Sequence, residues 1–235
     1  MNRGSYRNEP AVATQNAWNP FTFSVSPQLM HPHLRPQNVG WVEVVVGCMF
    51  SGKTEELIRR LRRAQYAKQP IAVIKPAIDI RYSEDSVGSH SGLRLRSFPV
   101  TRAAQIPALV TNAMVVGIDE AQFLDDELVQ VADQLANEGK RVICAGLDLD
   151  YLGRPFGPMP HLLATAEYIQ KMLAICVICG NPADRSQRTV NRSAQVLVGE
   201  KEAYEARCRL HWDPHNFDQH QVSLPFGENL AETHT

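Results

Sequence analysis

From residue 41 onward the chain alternates between short apolar runs and longer amphipathic stretches. WVEVVVG (41–47) is β-branched and almost wholly apolar, which predicts a buried strand. GKTEELIRRLRRAQYAK (52–68) follows, and its Leu57, Ile58 and Leu61 recur at helical spacing on one inner face. IAVIKP (71–76) predicts a second strand, stopped by Pro76, and MVVGIDE (114–120) a third. DDELVQVADQLANEG (125–139) predicts a helix with Gly139 in a stopping position, before a fourth strand in RVICAGLD (141–148). Strands alternating with helices predict an α/β fold whose mainly parallel sheet is covered on both faces. Ligands then gather at the carboxyl ends of the strands. Gly47, the adjacent acids Asp119 and Glu120, and Asp148 all fall at such ends.

The rhythm is lost on either side of this region. Residues 1–39 carry scattered prolines and polar residues with no periodicity, and read as a disordered leader in which Met30 is a second candidate start. Residues 40–170 form the core, and 171–212 read as a small appended module. Residues 213–235 are a polar, histidine-bearing tail.

Composition narrows the class. Among 235 residues, 44% are hydrophobic and 21% charged, as in a soluble globular protein. A net charge of -1 gives no general attraction to nucleic acid or anionic lipid. No apolar run approaches the roughly 20 residues that span a bilayer, and the amino terminus lacks a secretory signal core. The reading is cytoplasmic, with no membrane and no nucleic-acid partner. Five cysteines, an odd number with three crowded beyond residue 175, point to reduced thiols and a metal rather than disulfides.

Three motifs carry chemistry. Gly47, Cys48, Met49, Phe50, Ser51, Gly52, Lys53 and Thr54 match G-x-x-x-x-G-K-[ST], the phosphate-binding loop (P-loop). Its backbone N–H groups and the positive end of the following helix cradle phosphates. Lys53 reaches the β- and γ-phosphates and Thr54 ligates Mg²⁺. The alternative is a chance match in a glycine-rich turn, which the flanking strand and helix oppose. Asp119 ends a strand as a metal-serving acid does, and Glu120 beside it is placed to take a proton from an attacking hydroxyl. The plainer alternative is that one of the two caps a helix. Cys176-x-x-Cys179 and Cys208-x-x-His211 form two ligand pairs for a tetrahedral, closed and therefore structural Zn²⁺. The alternative is three unrelated thiols and a histidine. Cys144, inside an apolar strand, reads as core. The arginines of RRLRRAQYAK read as a solvated helix face.

Taken in order, GCMFSGKT, KPAIDIRY, IDEAQF, GLDLDYLGRPFG and the cysteine module ending VLVGEKEAYEARCRLHW resemble the thymidine kinases that carry a zinc-bearing lasso domain, over residues 41–212. The resemblance implies a RecA-like P-loop core with a mainly parallel sheet, plus a small zinc-binding lasso domain, assembled as a homotetramer. It implies transfer of the ATP γ-phosphoryl group to the 5′-hydroxyl of thymidine in DNA precursor salvage, with Mg²⁺ accompanying ATP. On this pattern Glu120 is the general base and Asp119 assists Mg²⁺. Asp79 and Arg81 organise metal and phosphates, and Ala121 and Gln122 lie beside ATP or substrate. Met49, Phe123, Leu124 and Tyr151 correspond to residues packing around the thymine ring, and Ser186 to one beside its 5-methyl group. Val196, Leu197, Val198 and Gly199, with Tyr204, match the lasso that hydrogen-bonds the base.

The chain departs from the family pattern at a few places. Cys48 replaces a usual proline and brings a thiol toward the nucleotide, while Tyr151 replaces phenylalanine and Ser186 a threonine. Glu200 and Asp184 add charge around the lasso. These leave thymidine as the expected substrate and widen the expectation toward deoxyuridine. The competing reading from another class is a P-loop ATPase or regulator whose zinc ribbon docks on nucleic acid or protein.

Overall fold

The computed structural model describes residues 39–78, 86–88, 94–190 and 203–216. Strand β1 (Trp41–Val46) leads through a tight turn into helix α1 (Lys53–Tyr66) and then β2 (Ile71–Pro76). A small antiparallel pair, β3 (Ser86–Gly88) and β4 (Arg94–Arg96), precedes β5 (Phe98–Val100), the short helix α2 (Ile106–Leu109) and β6 (Val115–Ile118). Helix α3 (Glu127–Asn137), β7 (Arg141–Gly146), α4 (Met159–Thr165) and β8 (Tyr168–Lys171) complete the core. Two hairpin-like pairs follow: β9 (Ala174–Ile175) with β10 (Pro182–Ala183), and β11 (Arg185–Arg188) with β12 (Tyr204–Arg207).

The main sheet has the order β5-β2-β6-β7-β1-β8, and each of its pairings is parallel. The period-2 alternation of side chains decides what covers each face. Val42, Val44 and Val46 point to one side, where they meet Leu128, Val131 and Leu135 of α3 and Met159 and Leu162 of α4. Val45 points to the other side and meets Leu57, Ile58 and Leu61 of α1, together with Val73 and Ile143. This three-layer arrangement bears out the α/β reading. Cys144 is fully buried, and burial pushes its thiol up to about 12, as expected of a core residue.

Two strands escaped the sequence pattern. Both β5 and β8 are sheet edges with mostly exposed residues; β5 is only three residues long (FPV), and β8 (YIQK) has no apolar run. β8 joins the main sheet, and Met172 N–H continues its pairing on the Val46 carbonyl (2.7 Å). The sheet therefore runs past residue 170.

The reading of the α1 arginines as a solvated face is corrected at one position. Arg60 is buried and its Nη1 lies 2.6 Å from Oε2 of Glu43, a fully buried residue of β1. It also pairs with Glu56 (2.8 Å) and bonds to Gln170. Its neighbour Arg59 does lie on the exposed side. Among the described residues no helix is long and apolar enough to cross a membrane.

Candidate active site

Three neighbouring strands, β6, β7 and β1, end side by side, and their carboxyl ends carry the polar residues the sequence singled out. Adjacent strands lie about 4.8 Å apart, so the β1 and β6 ends are about 10 Å apart, a gap that side chains can bridge. Gly47 begins the turn after β1 with φ +152°, and a Cβ there would lie 2.2 Å from the Met172 carbonyl oxygen. Only glycine fits that position. Gly52 (φ +82°) caps α1 in the left-handed region, and Phe50 is also left-handed.

α1 begins at Lys53, whose Nζ donates to the Cys48 carbonyl across the turn (2.8 Å). Burial holds the Lys53 ammonium below its ordinary value, opposed first by Glu120, with Asp119 and Asp148 also acting on it. Thr54 Oγ1 reaches the Asp119 carboxylate, at 3.2 Å from Oδ2 and 3.3 Å from Oδ1. One hydroxyl and one carboxylate oxygen side by side are an oxygen donor pair of the kind a hard divalent cation takes. Glu120 is buried and left-handed (φ +50°), and it starts the short turn Ala121–Phe123. Gln122 Nε2 donates to Glu120 Oε2 at 2.6 Å. The structure thus brings Lys53, Thr54, Asp119 and Glu120 to one end of the sheet.

Asp148, at the end of the strand between them, was placed at a ligand-gathering strand end by the sequence but given no role there. Its Oδ2 pairs with Lys171 Nζ at 2.7 Å, and its Oδ1 is buried with no hydrogen-bond partner among the described residues. The strand-end position of Asp148 was a readable signal; Lys171 required knowledge of β8.

The turn also rests on the cysteine module. Met49 N–H donates to Ser186 Oγ (3.0 Å), and Cys48 Sγ to the Ala183 carbonyl (3.3 Å). Cys48 packs with Ala174, Cys176, Ala183 and Ala206, and burial raises its pKa. The expectation of a thiol turned toward the nucleotide is therefore corrected: a small apolar-tolerant side chain there fills the seam with the module.

Cys176, Cys179, Cys208 and His211 present one ligand atom each, all within 4.8 Å of one another. Cys179 Sγ and Cys208 Sγ are 3.8 Å apart, and His211 Nδ1 is 3.3 Å from Cys208 Sγ and 3.7 Å from Cys176 Sγ. A tetrahedral ion with metal–sulfur bonds of ~2.3 Å requires sulfur–sulfur edges of ~3.8 Å, so the cluster fits structural zinc. Although burial opposes it, hydrogen bonds from the backbone at Cys208, Ile178 and Cys179 and from His211 pull Cys176 down to about 6, toward the thiolate that a metal needs.

Of the residues expected around a nucleobase, Phe123 meets Phe156 edge to face, with ring centroids 5.6 Å apart. Phe156 was missed by the sequence reading, although it stands in the quoted GLDLDYLGRPFG segment. Leu124 instead packs into the core with Leu128, so its side chain is committed to the sheet-covering layer. Tyr151 and Tyr204 flank Arg188: its guanidinium carbon lies 3.8 Å from the Tyr151 ring centre, and its Nη2 donates to Tyr204 Oη at 2.9 Å. Arg188 was also missed; its only signal was a basic residue two positions after Ser186. β11 and β12 pair in antiparallel register, and Thr189 N–H donates to the Ala203 carbonyl (2.9 Å). That pairing brings Thr189 and Ala203 together. Asp79, Arg81, Val196, Leu197, Val198 and Gly199 lie outside the described residues.

Comparison with known proteins gives a concordant result. The profile of the family described as thymidine kinase matches residues 40–212. A thymidine kinase from Rhodothermus sp. (strain ITI 518) is 58% identical over 177 residues, covering 75% of this chain and 83% of the relative. A thymidine kinase from Bdellovibrio bacteriovorus is 58% identical over 176 residues, covering 74% of this chain and 86% of that protein.

Proposed function

The chain belongs to the thymidine kinase family, and from that premise we propose that it transfers the γ-phosphoryl group of ATP to the 5′-hydroxyl of thymidine. The observation that carries the reading is the meeting of Lys53, Thr54, Asp119 and Glu120 at one end of the parallel sheet, with Thr54 and Asp119 in contact at 3.2 Å.

In this reading the turn Gly47–Thr54 is a P-loop on a RecA-like core, and the ATP phosphates lie over the amino end of α1. That end carries a partial positive charge equivalent to about half an elementary charge. Lys53 neutralises the developing charge on the γ-phosphoryl oxygens. Thr54 and Asp119 would hold Mg²⁺, which supplies electrostatic stabilisation of the phosphates. Asp79 and Arg81 assist there by family resemblance. Glu120 accepts the proton of the 5′-hydroxyl as that oxygen bonds to the γ-phosphorus and the bond to the β-phosphate oxygen breaks, releasing ADP. Little covalent help is needed, because alignment and charge account for most of the rate.

Met49, Phe123 and Tyr151 would receive thymine, and by family resemblance Val196, Leu197, Val198, Gly199 and Tyr204 take the part of the lasso that hydrogen-bonds the base. Ser186 would border the same space, whereas Ala121 is fully buried in the core cluster with Leu124. Cys176, Cys179, Cys208 and His211 would hold Zn²⁺, whose part is to fix the base of the lasso. The net charge of -1 favours small-molecule substrates over nucleic acid. The homotetramer implied by the family is a further part of this reading, open to sedimentation.

The test is incubation with Mg-ATP and each deoxynucleoside in turn. Thymidine monophosphate formed with one ADP per turnover is the expected result, with deoxyuridine as a second substrate. ATP hydrolysis indifferent to nucleosides and stimulated by DNA overturns it.

A further inference from the structure

We propose that Gln122 is a positioning residue for the phosphoryl transfer: it clamps the Glu120 carboxylate to the end of β7 and so fixes the direction in which that carboxylate faces the acceptor hydroxyl. The inference rests on the assignment of Glu120 as proton acceptor.

Glu120 sits on a left-handed residue (φ +50°) at the start of a single short turn. That backbone conformation is uncommon for a residue with a Cβ, and a carboxylate on such a turn needs external support to hold one rotamer. Gln122 provides it from two residues away. Its Nε2 donates to Glu120 Oε2 at 2.6 Å, while its Oε1 accepts the Leu147 N–H at 3.0 Å. The second bond settles the orientation of the first. With the amide oxygen committed to Leu147, the NH₂ group is the end that faces Glu120. An amide does not titrate, so the clamp is the same throughout the working pH range.

The surroundings are shaped to admit this side chain. Gln122 is 2% exposed. A Cβ on Gly146 would lie 2.6 Å from Gln122 Oε1 and 2.9 Å from Met159 Sδ. A Cβ on Gly157 would lie 2.4 Å from the Gln122 carbonyl oxygen. The end of β7 therefore closes on the side-chain amide, and the loop before α4 closes on the Gln122 backbone, with no room for a side chain on either glycine. The consequence is mechanistic: β7 lies between the strand that bears Glu120 and the strand that bears the P-loop. Anchoring the carboxylate to β7 references it to the strand adjoining the P-loop. A misplacement of about 1 Å in such a group costs on the order of 10²-fold in rate.

A double-mutant cycle tests this, with kcat for thymidine, KM for thymidine, Mg-ATP affinity and melting temperature measured for each protein. Q122M removes donor and acceptor at similar volume. Q122N keeps the uncharged amide but shortens its reach by one methylene, and serves if Q122M does not fold. Each is made in the wild-type and E120Q backgrounds. The expected result is a fall in kcat of about 10-fold or more in the wild-type background, with KM and Mg-ATP affinity within about twofold, and less than about twofold change in the E120Q background. Equal losses in both backgrounds, or no loss in wild type, overturn the inference. If E120Q itself turns over thymidine like wild type, the underlying assignment of Glu120 has failed, which is a separate outcome from an additive cycle.

Discussion

Near the amino end of the sheet Glu43 is fully buried and meets Trp41 Nε1 at 2.7 Å, Arg60 Nη1 at 2.6 Å, and Arg141 through Nε at 2.6 Å and Nη2 at 3.0 Å. At the carboxyl end Lys53, Asp119, Glu120 and Asp148 are drawn together around a turn, and Asp148 keeps a buried oxygen with no protein partner among the described residues. Both clusters bury charge on the same strands. The first is closed by its own chain: burial would raise the Glu43 pKa, but Arg141, Trp41 and Arg60 outweigh it and hold the carboxyl below its ordinary value. The second collects acids around a lysine beside the Gly47–Gly52 turn. A cluster satisfied internally serves the fold; on the function proposed above, the second serves chemistry.

The comparison is broken most severely by Glu43→Ala, which leaves two arginines facing a void. A loss of about 3–5 kcal/mol in chemical denaturation is expected, with kcat per folded molecule unchanged. The pH dependence follows from the lowered Glu43 value. Its contribution is complete above the unfolded glutamate value of about 4.3 and is lost as pH falls through the lower folded value. Denaturation midpoints measured from neutral pH down through that range should fall more steeply for wild type than for Glu43→Ala.

Lys53→Ala strikes the other end. Turnover is expected to fall roughly 10²–10³-fold, as for removal of one stabilising donor, while the melting temperature stays level or rises because a buried ammonium is gone. A matching loss of stability would erase the distinction between the two clusters. Cys179→Ser comes next: zinc affinity measured by chelator competition should drop about 10-fold or more, with thymidine KM rising and Mg-ATP affinity little changed. Unaltered metal content would remove Cys179 from the ligand set. Arg59→Ala gives the smallest effect, within about 0.5 kcal/mol, because its bond to Glu56 is on the exposed side of α1. The adjacent Arg60→Ala should cost several times more.

What was legible in the sequence was local. The Gly47–Thr54 turn, the paired acids after β6 and the two ligand pairs of the module each announce themselves within eight residues. Their convergence follows from strand alternation, because parallel strands end on one side. What was illegible depended on distant partners. Glu43 reads as a flaw in an apolar strand until Arg60 and Arg141 arrive from α1 and β7. Arg60 reads as surface for the same reason, being one of four arginines on a helix. Edge strand β5 is three residues with a proline, too short to register as a strand, and β8 lacks the apolar signature because most of it is open to solvent. The inward turn of Cys48 depends on Ala183 and Ala206, far along the chain. Leu124 reads as part of an aromatic wall by its neighbour Phe123, yet the turn at Ala121–Phe123 rotates it into the core.

The most direct test of the account is the initial rate of thymidine-dependent ADP formation by Glu120→Gln beside wild type, at saturating Mg-ATP, with melting temperature taken in the same buffer. The account predicts a fall of about 10²-fold or more with an unchanged melting temperature and intact ATP binding. Near-wild-type turnover would contradict it.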